Sequence, residues 1–128
     1  MRLILVRHAE AAPGDPDELR PLTAAGQDAA RALGERLAGE RIDVILTSPL
    51  LRARQTAEAI ARSAHAPVEV DQRLAPGATA ATTKEAVEGR GETVVTVGHQ
   101  PDCSEIVLAL TDEERSFAPA AYAAVDLP

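Results

Sequence analysis

Leu3-Ile4-Leu5-Val6-Arg7-His8 places four apolar residues in a row and then stops on an arginine and a histidine. A strand that shows one face to water alternates apolar and polar residues. One that does not alternate is buried on both faces, as in a parallel sheet covered by helices. Two further runs repeat the pattern. Ile42-Asp43-Val44-Ile45-Leu46-Thr47 leads into Ser48-Pro49 and then Arg52, while Thr93-Val94-Val95-Thr96-Val97-Gly98 ends on His99. Ligands of parallel sheets bind just beyond the carboxyl ends of the strands. Arg7, His8, Arg52 and His99 are therefore expected on one rim, and two histidines with two arginines there point to phosphate chemistry.

With 128 residues the chain is expected to form a single domain spanning 1–128, large enough to bury about two thirds of its unfolded surface. Aromatic residues make up only 2% against 45% hydrophobic residues overall, so the core must be built from closely packed Ala, Val, Leu and Ile. The net charge of -7 argues against nucleic-acid or anionic-membrane binding, which needs a basic footprint. An anionic ligand must be held by a local cluster. Cys103 is the only cysteine, which excludes an intrachain disulfide and a cysteine-rich zinc site. The apolar run after Arg2 is interrupted by Arg7, too soon for a signal peptide or membrane span. The expected location is cytoplasmic.

Between these strands the chain reads as helix and loop. Ala9 to Asp17 carries proline, glycine and acidic residues and marks a loop bordering the rim. Thr23 can cap a helix from about Ala24, with Ala29, Ala30, Leu33 and Leu37 at helical spacing until Gly39. A second helix runs from Leu50 to about Ala64, with Leu50, Ala53, Ala57, Ile60 and Ala61 as its apolar stripe. Pro67 to Val70 reads as a short edge strand, Thr82 to Glu88 as a helix, Pro101 to Leu110 as another, and Ala121 to Leu127 as a last edge strand.

A neutral imidazole at His8 can attack phosphorus in line and form a phosphohistidine intermediate, splitting one hydrolysis into two displacements. Its ring is expected to bond a backbone carbonyl through one nitrogen, leaving the other lone pair free. Arg7 can bind equatorial oxygens. Arg52, in the first turn of its helix, can face the anion together with free backbone N–H groups, and His99 completes the cage. Fixed positive donors supply most of the catalysis in phosphoryl transfer, and the scheme needs no metal or other cofactor. Each residue also has an ordinary reading: an arginine-histidine pair in a loop, a histidine at a strand end, an arginine on a helix surface. Joint placement after three strands is what favours a site.

Leu5-Val6-Arg7-His8-Ala9-Glu10, Leu22-Thr23-Ala24-Ala25-Gly26, Ser48-Pro49-Leu50-Leu51-Arg52-Ala53-Arg54-Gln55-Thr56-Ala57 and Val97-Gly98-His99 resemble, in order, the motifs of the histidine phosphatase superfamily. The resemblance spans nearly the whole chain. It implies an α/β fold, a three-layer α/β/α sandwich with a mostly parallel central sheet, phosphoglycerate mutase-like. It also implies that His8 is the phosphorylated residue and that Arg7, Arg52 and His99 form the phosphate pocket, with Ser48 as a further substrate contact or only a turn cap.

Two positions depart from the family pattern. Ala9 stands where glycine commonly follows the histidine, so its backbone is expected in a conformation open to alanine. Gln100 follows His99 where some members carry an acid, and no glutamate between Asp71 and Gly91 aligns with the acid of larger members. Glu10 and Asp102 are the nearest candidate proton donors. An alkoxide leaving group needs a general acid, whereas a protonated imidazole leaves without one. In length and in lacking an obvious acid the chain resembles the short phosphohistidine phosphatases of the SixA type, with an open pocket. The implied partner is a phosphohistidine-bearing phosphotransfer protein. The alternatives are a small-molecule phosphomonoesterase acting on a phosphorylated metabolite and a non-catalytic phosphate-binding module. Cys103, on an apolar helix face, reads as a buried thiol rather than a nucleophile.

Overall fold

The computed structural model describes residues 1–128. In chain order the elements are β1 (Arg2–Arg7), α1 (Ala24–Leu37), β2 (Val44–Thr47), α2 (Leu51–Ala64), β3 (Val68–Val70), α3 (Ala80–Val87), β4 (Thr93–Gly98), α4 (Asp102–Thr111) and β5 (Tyr122–Asp126), with 3-10 turns at Asp17–Leu19 and Gln72–Leu74. The strands form one sheet in the order β3-β2-β4-β1-β5. β4 pairs in parallel with both β1 and β2, β3 runs parallel to β2, and β5 alone is antiparallel, against β1.

The unalternating strands have the burial that their composition demands. Ile4 and Val6 of β1, Ile45 of β2 and Val95 and Val97 of β4 pack against Leu33 and Leu37 of α1 and Ala53, Ala57 and Ile60 of α2. Their neighbours Leu3, Leu5, Leu46 and Val94 face the other way, onto Ala86 and Val87 of α3 and Cys103, Ile106 and Val107 of α4. The result is the expected three-layer α/β/α sandwich. Each fully buried leucine, isoleucine or valine contributes about 1.5–3 kcal/mol, so the two faces together supply most of the driving force. β5, at the edge, returns to alternation, with Ala123 and Val125 buried and Ala124 and Asp126 exposed.

Element ends follow local chemistry. The Thr23 side chain accepts from the Gly26 N–H and caps α1. α3 begins two residues before the expected Thr82, because Thr79 and Thr82 form a reciprocal capping box. Pro101 is the residue before α4 rather than its first member. The alanine-rich surfaces let α1 and α2 approach closely: a methyl group on Gly34 would lie 2.8 Å from the Ala59 carbonyl oxygen. No helix is long and apolar enough to cross a membrane.

Candidate active site

The strand register assembles the rim. Arg7 is the partner of Gly98 across β1 and β4, and the His8 N–H donates to the Gly98 carbonyl at 3.0 Å. His8 and His99 therefore leave adjacent parallel strands at the same level, with ring centroids 5.3 Å apart and planes tilted by 59°. On the other side of β4, Thr47 pairs with Val97 and the Ser48 N–H donates to the Val97 carbonyl. His99 thus sits between His8 on one side and Ser48 on the other, and Arg52 follows in the first turn of α2.

His8 Nδ1 lies 2.7 Å from the Ala9 carbonyl oxygen. A carbonyl only accepts, so this nitrogen carries the proton and Nε2 keeps its lone pair. Burial lowers the pKa of His8, opposed by the Ala9 hydrogen bond and reinforced by the charges of Arg52, Arg7 and Arg20. The neutral ring is what in-line attack requires. Ala9 is not among the non-glycine residues with positive φ, which are His65, Asp112 and Ala120, so alanine in place of the family's glycine carries no backbone strain. Its buried N–H donates to Thr56 Oγ1 at 3.0 Å, and the Thr56 hydroxyl donates to the Arg52 carbonyl at 2.8 Å.

His99 Nε2 stands 2.7 Å from Ser48 Oγ, and the same Ser48 oxygen accepts from the Leu50 N–H at 3.3 Å. Ser48 therefore caps the turn and orients His99 at once. Burial, with the charges of His8 and Arg52, lowers the pKa of His99 to about 4. Arg7 Nη1 donates to the Phe117 carbonyl at 2.7 Å, which anchors the segment before β5. The Ala120 N–H reaches back to the Arg7 and His8 carbonyls.

The two candidate proton donors are both engaged elsewhere. Glu10 Oε1 accepts from the Thr23 hydroxyl at 2.7 Å, and Asp102, though buried, accepts the Gly77 N–H at 2.9 Å. A third carboxylate, Asp17, at the end of the loop expected to border the rim, pairs with Arg52, a contact the sequence did not signal. Its main-chain oxygen and Oδ2 accept from Arg52 Nη1 at 3.0 Å and Nη2 at 3.2 Å, and its Oδ1 accepts from Arg20 at 2.9 Å. Hydrogen bonding to Arg20, and then to Arg52, holds the Asp17 carboxyl below the usual carboxylate range. Cys103 is buried with its thiol pushed up to about 12 by desolvation, the inert thiol expected.

The loop that carries these residues is pinned to α1 and α2. The Thr23 N–H donates to the Glu10 carbonyl, and the Leu22 N–H donates to Gln55 Oε1 at 2.8 Å. A methyl on Gly26 would fall 2.1 Å from the Glu10 carbonyl oxygen, so only glycine permits this approach. Asp17, Arg20, Gln55 and Thr56 belong to the surroundings of the site without standing out as site residues in the sequence. For Thr56 a signal exists, since it lies four residues after Arg52 and so on the same helix face.

None of the molecule's four cavities is lined by Arg7, His8 or Arg52. The groove of about 430 Å³ between α1 and α2 is lined by Gln27, Arg31, Gln55, Glu58, Ala59 and Arg62, away from both histidines. The rim thus gathers Arg7, His8, Arg52 and His99 at one end of the sheet, with burial favouring the neutral imidazole at His8.

The chain is similar to known proteins in both sequence and structure. The family model of the histidine phosphatase superfamily (branch 1) matches residues 3–89. An uncharacterized protein of Picosynechococcus sp. is 41% identical, with the match covering 82% of this chain and 70% of that protein. The phosphohistidine phosphatase SixA of Escherichia coli is 30% identical over 99% of this chain and 86% of its own length. The solved structure of the protein histidine phosphatase SixA complexed with tungstate superimposes with a TM-score of 0.89 at 30% identity, covering 99% of this chain and 88% of that one.

Proposed function

The chain belongs to the histidine phosphatase superfamily, a family of phosphatases, and from that premise we propose that it removes phosphate from phosphohistidine on a partner protein, with His8 as the transient phosphate acceptor. The observation that carries this reading is the state of the carboxylates. Glu10, Asp102 and Asp17 are all held by other donors, and Asp17 is also held deprotonated by its arginines. A site without a ready acid suits a leaving group that needs none. A protonated imidazole is such a group, and an alcohol is not.

In this reading Arg7, Arg52 and His99 hold the phosphoryl oxygens while His8 Nε2 attacks phosphorus. The P–N bond to the substrate imidazole breaks, and the protonated substrate histidine leaves neutral. Water then attacks phosphorus on His8, releasing inorganic phosphate and restoring the ring. Ser48 acts by orienting His99. The likeness to a SixA structure that holds tungstate, a tetrahedral oxyanion, supports an oxyanion at this rim. A rim with no enclosing cavity around His8 supports a substrate carried on another macromolecule, such as a phosphotransfer protein in the cytoplasm.

The test is the rate of phosphate release from a phosphohistidine-bearing protein against a panel of phosphate monoesters, for the wild type and His8→Ala. The expected result is a preference for phosphohistidine of about 100-fold or more, the usual worth of a missing general acid, abolished by His8→Ala. Faster His8-dependent turnover of a monoester overturns the proposal in favour of small-molecule phosphomonoester hydrolysis.

A further inference from the structure

Arg52 contributes a buried guanidinium to the rim, yet both of its terminal nitrogens are already bonded to Asp17. The pair is asymmetric. The Arg52 side chain is 9% exposed and that of Asp17 60%, so the cation belongs to the site and the anion reaches it from the surface. Asp17 opens a three-residue 3-10 turn with no buried residue, and Pro13 through Leu19 are all exposed. Little packing would be lost if this turn moved. Behind Asp17 stands Arg20, whose Nη1 donates to Oδ1 and whose Nε donates to the Ala12 carbonyl at 2.8 Å. Its charge also acts on His8.

We propose that Asp17 is a built-in anion that occupies Arg52 until a phosphoryl group replaces it, so that binding at the rim is an exchange of carboxylate for phosphate. Asp17 offers the guanidinium fork its main-chain oxygen and one carboxylate oxygen, in the place where a phosphoryl group would offer two oxygens, but with one negative charge against nearly two. The resting site thus has its arginine neutralised, and the dianion wins the exchange through its greater charge and its additional contacts to Arg7 and His99. Arg20 receives the displaced carboxylate, to which it is already bonded. Asp17 thereby becomes a specificity residue: it sets a threshold that a weakly bound anion does not pass. The inference rests on the reading of Arg52 as a phosphate ligand.

Calorimetric titration with inorganic phosphate, the product of the proposed reaction, tests it on the intact chain as wild type, Asp17→Asn, Asp17→Ala and Arg52→Ala. Removing the competing charge is expected to tighten phosphate binding by about 3- to 10-fold, the worth of a partly exposed charged pair, in both Asp17 variants. Arg52→Ala is expected to abolish binding. Phosphate binding that Arg52→Ala removes but that either Asp17 variant leaves unchanged or weakens overturns the exchange while sparing the phosphate site; Asp17 is then an orienting partner of Arg52. Absence of phosphate binding in the wild type, or binding indifferent to Arg52→Ala, overturns the phosphate site and the exchange together.

Discussion

Thr56 holds the backbone after His8 through one hydrogen bond and the start of α2 through another. Both groups are fully buried, so the Ala9 N–H has no water to fall back on. Thr56→Val keeps the shape and removes the acceptor, leaving a buried donor unpaired at a cost of about 1–3 kcal/mol. We expect a lower urea midpoint and a lower turnover, since the bond that is lost fixes the backbone of Ala9, whose carbonyl orients the His8 ring. Thr56→Ser is expected to restore both. A valine variant with wild-type stability and rate would show that Thr56 only fills space. At this scale His8, Arg7, Arg52 and His99 were legible in the sequence, because each closes or follows a recognisable apolar run. Asp17 and Arg20 were not, because an aspartate in a proline-rich acidic loop looks like solvated surface.

Among the helices and strands, small residues decide how closely the pieces approach. Gly26 lies in the first turn of α1 where the loop after His8 crosses it, and a methyl there would meet the Glu10 carbonyl oxygen at 2.1 Å, backbone against backbone. Gly26→Ala must displace either the helix or the loop. The expected destabilisation is about 1–3 kcal/mol, accompanied by loss of turnover because the same loop holds Ala9 and Asp17. A methyl on Gly39, beyond the end of α1, would have nothing within 4 Å, so Gly39→Ala is the matched control and is expected to be nearly neutral in thermal melts. Equal effects of the two substitutions would remove the close approach as the cause. The positions of strands and helices were legible from period and composition, and the start of α1 from its cap at Thr23. The contact of Gly26 with Glu10 was not, since local sequence shows that glycine fits but not what passes over it.

For the whole molecule, burying two neutral histidines ties stability to pH. The pKa of His99 falls to about 4 in the folded chain and that of His8 is lowered too, whereas in the unfolded chain both titrate near 6.5. Between those values the unfolded chain takes up protons that the folded chain refuses. Stability is therefore complete above about pH 6.5 and is lost as pH falls toward 4. The expected loss is about 1–3 kcal/mol after allowance for solvent near the rim. Urea denaturation at a series of pH values checks this, and His99→Asn should flatten the slope in that window. A slope unchanged by the substitution would mean that other groups carry it. Asp17 and Asp71 have lowered pKa values, so they act in the same direction, but only in the more acid range where carboxylates protonate.

Composition and periodicity pointed to a sheet covered by helices on both faces and set Arg7, His8, Arg52 and His99 at the ends of its strands. An unbroken apolar run can only be buried on both faces, and the chemistry of such sheets gathers at the carboxyl ends of the strands. It took the folded chain to set β4 between β1 and β2, which puts His99 between His8 and Ser48. Folding also tied Glu10 and Asp102 to Thr23 and Gly77, and brought Asp17 across 35 residues of chain to Arg52. The physical reason is one of range. Periodicity and capping are written in neighbours a few residues apart, while the partner of an exposed charge is set by which loop the completed core brings over it.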